Sequence, residues 1–489
     1  MGAETTERDG PVRAGADWEA WTRAVDRMAA GAPAAEVLDV TDGATWPAFD
    51  AAMRADVTWT GRRLRARVDL PETRLCHHDG RQRQAALLGA AAEPRLWPLV
   101  VVRCADWVEP VRTAARRELE RILAEAPGRA VPELLPPALR VARRERGRWL
   151  AARFEEAVAG LSYTALTELR AHPDRWTRRF AVRHTLAGTD PGAEALAREA
   201  ASESDSLIRV WYAEAAATAL AAPADRAEEP GSRERARELL LGARSAKVRA
   251  VGITSLRGAG RGAEAGAWLG DRSGLVRACA RWLCRQDGGD PVARVRALVA
   301  DPATVTGPLV ASLAESGDRG TDVPLLIGLL DHPEGRVRAA AVAGLRAFEV
   351  VPSARITELV ADPWPAVTRE ATLTLRAWPD RVRPEDLAAW RAPDRPAHVR
   401  RAGIRLTPDQ GRGERLRSWV GLLTDPDPEI ARWAEREVID RGAWQAVYRA
   451  KALDRAELRA LYERCRELLG EDRVERIRRA LDIPAQVRD

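Results

Sequence analysis

Asparagine is absent from these 489 residues, and lysine occurs only twice, at Lys247 and Lys451. Phenylalanine and tyrosine number four each and methionine three. No run of 18 apolar residues occurs, which argues against a membrane-spanning helix and against a membrane partner. The five cysteines, Cys76, Cys104, Cys279, Cys284 and Cys465, are odd in number and scattered, which excludes a disulfide framework and predicts reduced thiols. Residues 1–15 are polar and acidic, without a basic start, an apolar stretch or a cleavage site, so no secretory signal is visible and a cytoplasmic location is the default expectation. The chain also lacks GxxxxGK[ST], GxGxxG after a strand, GxSxG and HExxH. With no recognisable catalytic set, a binding protein is expected rather than an enzyme, and no cofactor or metal.

What is present is arginine. The two lysines leave the rest of the 78 basic residues as arginine, against 72 acids, for a net charge of +6. The pI is about 9.4. Lysine and asparagine codons are AT-rich, so this composition reflects a GC-rich genome at least as much as a need to bind phosphate. An excess of 6 charges over 489 residues is a weak electrostatic footprint. Apolar residues make up 46% and charged residues 31%, a globular composition.

Repetition dominates the chain. From Leu325 the sequence LLIGLLDHPEGRVRAAAVAGLRAF reads as a short apolar helix, a turn at Asp331-His332-Pro333, and a second helix near Gly335. In the second helix Val337, Ala341 and Leu345 lie four apart on one face, the small middle residue allowing close helix approach. The same unit recurs at Val111-Arg112 with Ala115 and Leu119, and at Ile208-Arg209 with Tyr212 and Ala216. Further copies are Val248-Arg249, Val276-Arg277, Val399-Arg400 and Ile430, with weaker ones at Arg83, Arg178 and Thr368. Most gaps between anchors are 28 to 32 residues. Two longer gaps each fit two repeats, with degenerate copies near Arg146 and Thr306, and a third gap, between Arg209 and Arg249, holds an insertion from Pro223 to Ser232.

The motif apolar-turn-Asp-Pro-x-x-x-Val-Arg-x-x-Ala resembles the HEAT family, most of all the short bacterial variety grouped with phycobilisome-lyase-type HEAT-like repeats. That resemblance covers roughly residues 76–445. It implies an all-α, right-handed α-solenoid (a superhelix) of about a dozen HEAT-like two-helix repeats with N- and C-terminal helical caps. Each unit cannot bury its apolar face alone and stacks on its neighbours, with second helices lining a concave face. The expected divisions are a disordered tail at 1–15, an N-terminal cap at 16–75 that carries Trp18, Trp21, Trp46 and Trp59, the solenoid at 76–445, and a C-terminal cap at 446–489. Such repeats commonly pair the Val-Arg arginine with the acid of the preceding turn, which predicts Arg338 with Asp331, Arg277 with Asp271 and Arg112 with Asp106.

The most basic stretch runs from Arg140 to Arg183, with eleven arginines against five acids. Arg143, Arg144, Trp149, Trp176, Arg178, Arg179 and Arg183 form a candidate band for an anionic partner, phosphates on the arginines and bases on the rings. The competing expectation is a solvated helix face with buried aromatics. The segment from Trp176 to His184 resembles the HEAT-like alkylpurine DNA glycosylases, which place a catalytic Asp four residues after a Trp on a helix. That spacing occurs here with an acid at Trp46/Asp50, Trp390/Asp394, which Pro393 interrupts, and Trp433/Glu437. Among the 17 tryptophans most fit core positions, while Trp364 and Trp378 precede prolines at turns and are candidate anchors for a protein partner. Cys76-His77-His78-Asp79 carries four metal-capable side chains, but adjacent residues point apart. The leading expectation is a non-catalytic scaffold that holds a protein on the concave face. The alternatives are a nucleic-acid-binding or DNA-repair protein, and a lyase or chaperone for a ligand or prosthetic group.

Overall fold

The computed structural model describes residues 11–55, 70–188, 191–223, 229–407, 412–450 and 452–480. Part of the tail, Trp59 and Lys451 lie outside the described residues. Among those described the chain is all-α, with no strand beyond an isolated parallel bridge between Val12 and Leu38. It divides into two compact units, 1–255 and 256–489.

Each unit is a succession of short helix pairs, the HEAT-like α-solenoid arrangement that the period predicts. In the first unit the pairs include Trp97–Arg103 with Glu109–Glu125, Tyr163–Arg170 with Arg175–Gly188, and Ala193–Ser202 with Ser206–Ala221. In the second they include Arg319–Gly328 with Gly335–Ala347, Ser353–Leu359 with Pro365–Arg376, Pro384–Arg391 with Ala397–Leu406, and Arg412–Leu422 with Pro428–Ile439. The degenerate copies exist as pairs too. Pro127–Val141 precedes Arg148–Ala159, and Pro291–Ala300 precedes Gly307–Ser316, whose N-cap is Thr306.

The apolar period is the core. Val111, Ala115 and Leu119 are fully buried, as are Val337, Ala341 and Leu345, and Ile430, Ala434 and Val438. Fully burying such a Val or Leu side chain contributes roughly 1.5–3 kcal/mol, and neither two-helix layer could do so alone. Gly403 shows why the middle position is small: a Cβ there would come within 2.9 Å of Arg391 Cγ and 3.1 Å of Trp390 Cβ on the partner helix. Near the N-terminus lie Trp18–Ala29 and Thr45–Ala55, with Trp21 and Trp46 both packed against Phe49. At the C-terminus Arg455–Leu469 and Glu471–Ala480 bury Tyr462, Cys465, Val474 and Ile477. No described helix is long and apolar enough to cross a membrane.

Candidate functional site

The anchor arginines do not find the partners that the sequence suggests. Each donates one guanidinium nitrogen to carbonyls five and six residues before it, in the turn that opens its own helix. Arg83 Nη1 reaches His77 O at 2.6 Å and His78 O at 2.8 Å. Arg178 reaches His172 O and Pro173 O, and Arg338 reaches His332 O at 2.7 Å and Pro333 O at 3.0 Å. Arg112 and Arg249 do the same, Arg209 does so with two nitrogens, and Arg277 reaches the Asp271 carbonyl six residues before it. The guanidinium thus staples a turn whose carbonyls would otherwise lack donors.

The expected acid pairings are corrected in kind. Arg112 and Arg277 take the backbone carbonyls of Asp106 and Asp271, not their carboxylates. Arg338 does not pair with Asp331, which binds Arg355 instead. The reason is that the first residue of each turn uses its side chain to accept the N–H two residues on, starting the next helix. Asp106 accepts from Val108, Asp362 from Trp364 and Asp425 from Asp427. At three turns a histidine Nδ1 takes that role: His77 accepts from Asp79, His172 from Asp174 and His332 from Glu334, at 3.0–3.1 Å. The remaining face of a turn carboxylate points back at the preceding repeat. Arg83 binds Asp106 bidentately at 2.9 Å, with both side chains fully buried. Arg338 binds Asp362, and Arg400 binds Asp425. One guanidinium therefore closes its own turn and ties it to the next, using the planar fork that lysine lacks.

At the first such tie the charges condense. Arg103 Nη1 lies 2.9 Å from Asp106 Oδ2 and its other nitrogen contacts Asp50, which also takes Arg54 Nε at 2.9 Å. Arg54 and Arg83 stack over Trp107 at 4.3 and 4.5 Å. Asp50, one of the acids at glycosylase-like spacing, is held here between two arginines and 3% exposed. Of the other two matches, Trp390 is buried while Asp394 is exposed, and Trp433 Nε1 donates to Glu437.

The Arg140–Arg183 band is only partly brought together. Trp176 is half-buried and ringed by Arg140, Arg143, Arg175 and Arg179, whose guanidinium carbons lie 5.1–5.6 Å from its centre. Several of these charges are internally neutralised: Arg140 by Asp174, Arg153 by Glu120 and Arg179 by Asp205. Burial opposes ionisation of Asp205, yet the Arg179 fork and two backbone N–H groups hold its carboxyl below the ordinary range. Arg178 is the turn staple described above. Trp149 is covered by a different arginine, Arg116, at 4.8 Å. Arg143, Arg144, Arg175 and Arg183 are exposed. Trp364 is 44% exposed and lies over Gly335, where any Cβ would overlap its ring, while Trp378 is half-buried.

A cavity of about 450 Å³ in the second unit was not evident from sequence. Arg376, Arg391, Arg405 and Arg415 line it together with Trp419, Trp433 and Glu437. Trp419 and Trp433 pack at 4.9 Å, and Arg405 lies 5.5 Å from the Trp433 centre. Arg376, Arg391 and Arg405 make no ion pair with any carboxylate among the described residues.

No family model matches the chain, and no curated protein matches it. Among solved structures, the Escherichia coli protein YibA is 18% identical over 59% of this chain and 97% of its own, with a TM-score of 0.21. A structure of Kap121p bound to Pho4p is 13% identical over 95% of this chain and 53% of Kap121p, with a TM-score of 0.26. The chain spans about half the length of Kap121p. Superpositions this loose say nothing about function, and the fold assignment rests on the paired helices themselves.

Proposed function

We propose that the chain is a non-catalytic scaffold, built from HEAT-like repeats of the short bacterial kind with a helical cap at each end, that holds a protein partner against its second helices. The observation that supports this reading is a run of exposed and half-buried apolar positions along those helices in the second unit. Gly274–Gln286 presents Leu275, at 49% exposure, with Ala278, Cys279 and Trp282. Pro308, Ala311 and Ala314 of Gly307–Ser316 and Ala340 and Ala343 of Gly335–Ala347 are small residues that are half-buried. Exposed leucine and tryptophan beside small residues suit a protein surface better than a phosphate backbone. A partner would spread many weak contacts along this face around the Trp282 anchor, with Trp364 as a second anchor.

A nucleic-acid reading is favoured by one observation, the exposed Arg143 and Arg175 around Trp176, a ring-and-guanidinium arrangement able to hold a strand. Fluorescence anisotropy of labelled duplex and single-stranded DNA at roughly 50 and 200 mM salt separates the two. The scaffold reading expects no binding at either salt, together with a partner that co-purifies with the native protein and is lost from a Leu275→Ser/Trp282→Ala variant of unchanged melting temperature. Tight DNA binding that collapses with salt and disappears in Arg143→Gln/Arg175→Gln would transfer the function to the basic band.

A further inference from the structure

We infer that the cavity bounded by Arg376, Arg391, Arg405 and Arg415 is a binding site for an organic phosphate monoester that carries a planar ring. The cavity arises where the repeat's own charge pairing fails. Arg346 stands eight residues after its anchor, Arg338, and is bound by Glu370 and by the hydroxyl of Thr374 in the next repeat. Arg376 stands eight residues after the following anchor, Thr368. The position in the next repeat that corresponds to Glu370 is Ala402, and the one that corresponds to Thr374 is Leu406. Arg376 is thereby left without an ion-pair partner among the described residues. Arg391, from the first helix of the next pair, and Arg405, from its second, meet it at the same cavity.

Three guanidiniums with no ion pair among the described side chains line the cavity with one carboxylate, Glu437, which accepts a hydrogen bond from Trp433 Nε1 at 3.3 Å. Arg376 and Arg405 are exposed and Arg391 is half-buried, and like charges gathered around one concave site concentrate a field there that draws in an anion. The four arginines that line the cavity outnumber its one carboxylate, so at least two positive charges are left to balance. That matches the charge of a phosphate monoester near neutral pH, which a carboxylate falls short of. Phosphate oxygens also suit the planar donor fork of arginine. Ile404, Leu422 and the Trp419–Trp433 pair supply an apolar wall for a ring, and about 450 Å³ is the size of a small-molecule site. This inference stands apart from the scaffold reading, since it concerns a small ligand and a different set of residues.

The test is isothermal titration calorimetry of the full chain with phenyl phosphate, benzoate and an Asp/Glu-rich peptide. Phenyl phosphate is expected to bind with a Kd below about 1 mM. Benzoate, with the same ring and a single charge, is expected to bind at least tenfold more weakly. Arg376→Gln/Arg405→Gln should weaken phenyl phosphate at least tenfold without lowering the melting temperature, and Arg391→Gln alone should weaken it several-fold. Arg369→Gln, which changes an exposed arginine outside the cavity, should leave it unchanged. The inference is overturned if phenyl phosphate gives no heat up to about 10 mM, if benzoate binds equally well, or if the cavity variants bind like the wild type. Tighter binding by the acidic peptide, competitive with phenyl phosphate, would also overturn it and make the cavity part of a protein groove. Loss of the co-purifying partner leaves these results untouched, so the two readings fail separately.

Discussion

Arg346 and Arg376 occupy the same place in two successive repeats and lead different lives. The first is gripped by Glu370 and Thr374 of the next helix pair. The second lines a cavity and has no carboxylate partner among the described residues. Residue type is identical, so the neighbouring repeat decides whether an arginine is mortar or bait. Several of the arginines behind a pI near 9.4 are of the first kind, each spent on a turn carbonyl or a carboxylate one repeat away. Counting arginines therefore overstates affinity for anions, and locating those without partners is more informative.

The comparison can be broken most severely at the buried node. Asp106→Asn should destabilise the first unit by about 3–5 kcal/mol, because it leaves Arg83 and Arg103, both fully buried, without their shared counter-charge. Chemical denaturation followed by circular dichroism measures this directly; a loss below about 1 kcal/mol would show that the node is solvated in practice. Ala341→Arg, which forces a long charged side chain into a fully buried position, should also cost several kcal/mol in the second unit. Glu370→Ala should cost about 1–2 kcal/mol, since it puts Arg346 in the situation of Arg376 and removes one partly buried pair.

A smaller effect is expected from the histidine turns. Burial holds the His172 imidazole below its ordinary value of 6.5, with Asp174 acting in the opposite direction, and its Nδ1 must stay unprotonated to accept the Asp174 N–H. The unfolded chain therefore binds the proton more readily. Stability from this turn is fully present above about pH 6.5 and is lost as pH falls through the depressed folded value. Melting scans from pH 7.5 to 5.5 should show a drop of a few degrees in the wild type. His172→Asn, which keeps an acceptor but does not titrate, should shrink that drop, and an unchanged slope would place the pH sensitivity elsewhere.

The fold was legible because it is written in the spacing of Val337, Ala341, Leu345 and their copies, a local pattern that burial confirms residue by residue. Degenerate copies near Arg146 and Thr306 were legible from period alone. The arginine partners were not, because half of them are backbone carbonyls, which no sequence displays. The carboxylates of Arg83, Arg338 and Arg400 come from the following repeat, 23 to 25 residues on, and not from the acid just upstream. The band around Trp176 was visible as composition, yet Asp174, Glu120 and Asp205 neutralise part of it from other helices. The second-unit cavity had one readable sign, Ala402 where the preceding repeat has Glu370. It appears only when repeats are aligned on their anchors, and Arg391, Arg415 and Trp419 join from first helices that carry no anchor at all.

The most direct test of this division is a matched pair of melting curves for Arg346→Gln and Arg376→Gln at pH 7.5. Removing Arg346 should cost about 1–2 kcal/mol and lower the melting temperature by about 2–4 °C per kcal/mol, whereas removing Arg376 should leave it unchanged or raise it slightly by relieving repulsion in the cavity. Equal losses in the two variants would contradict the account, since both arginines would then be structural.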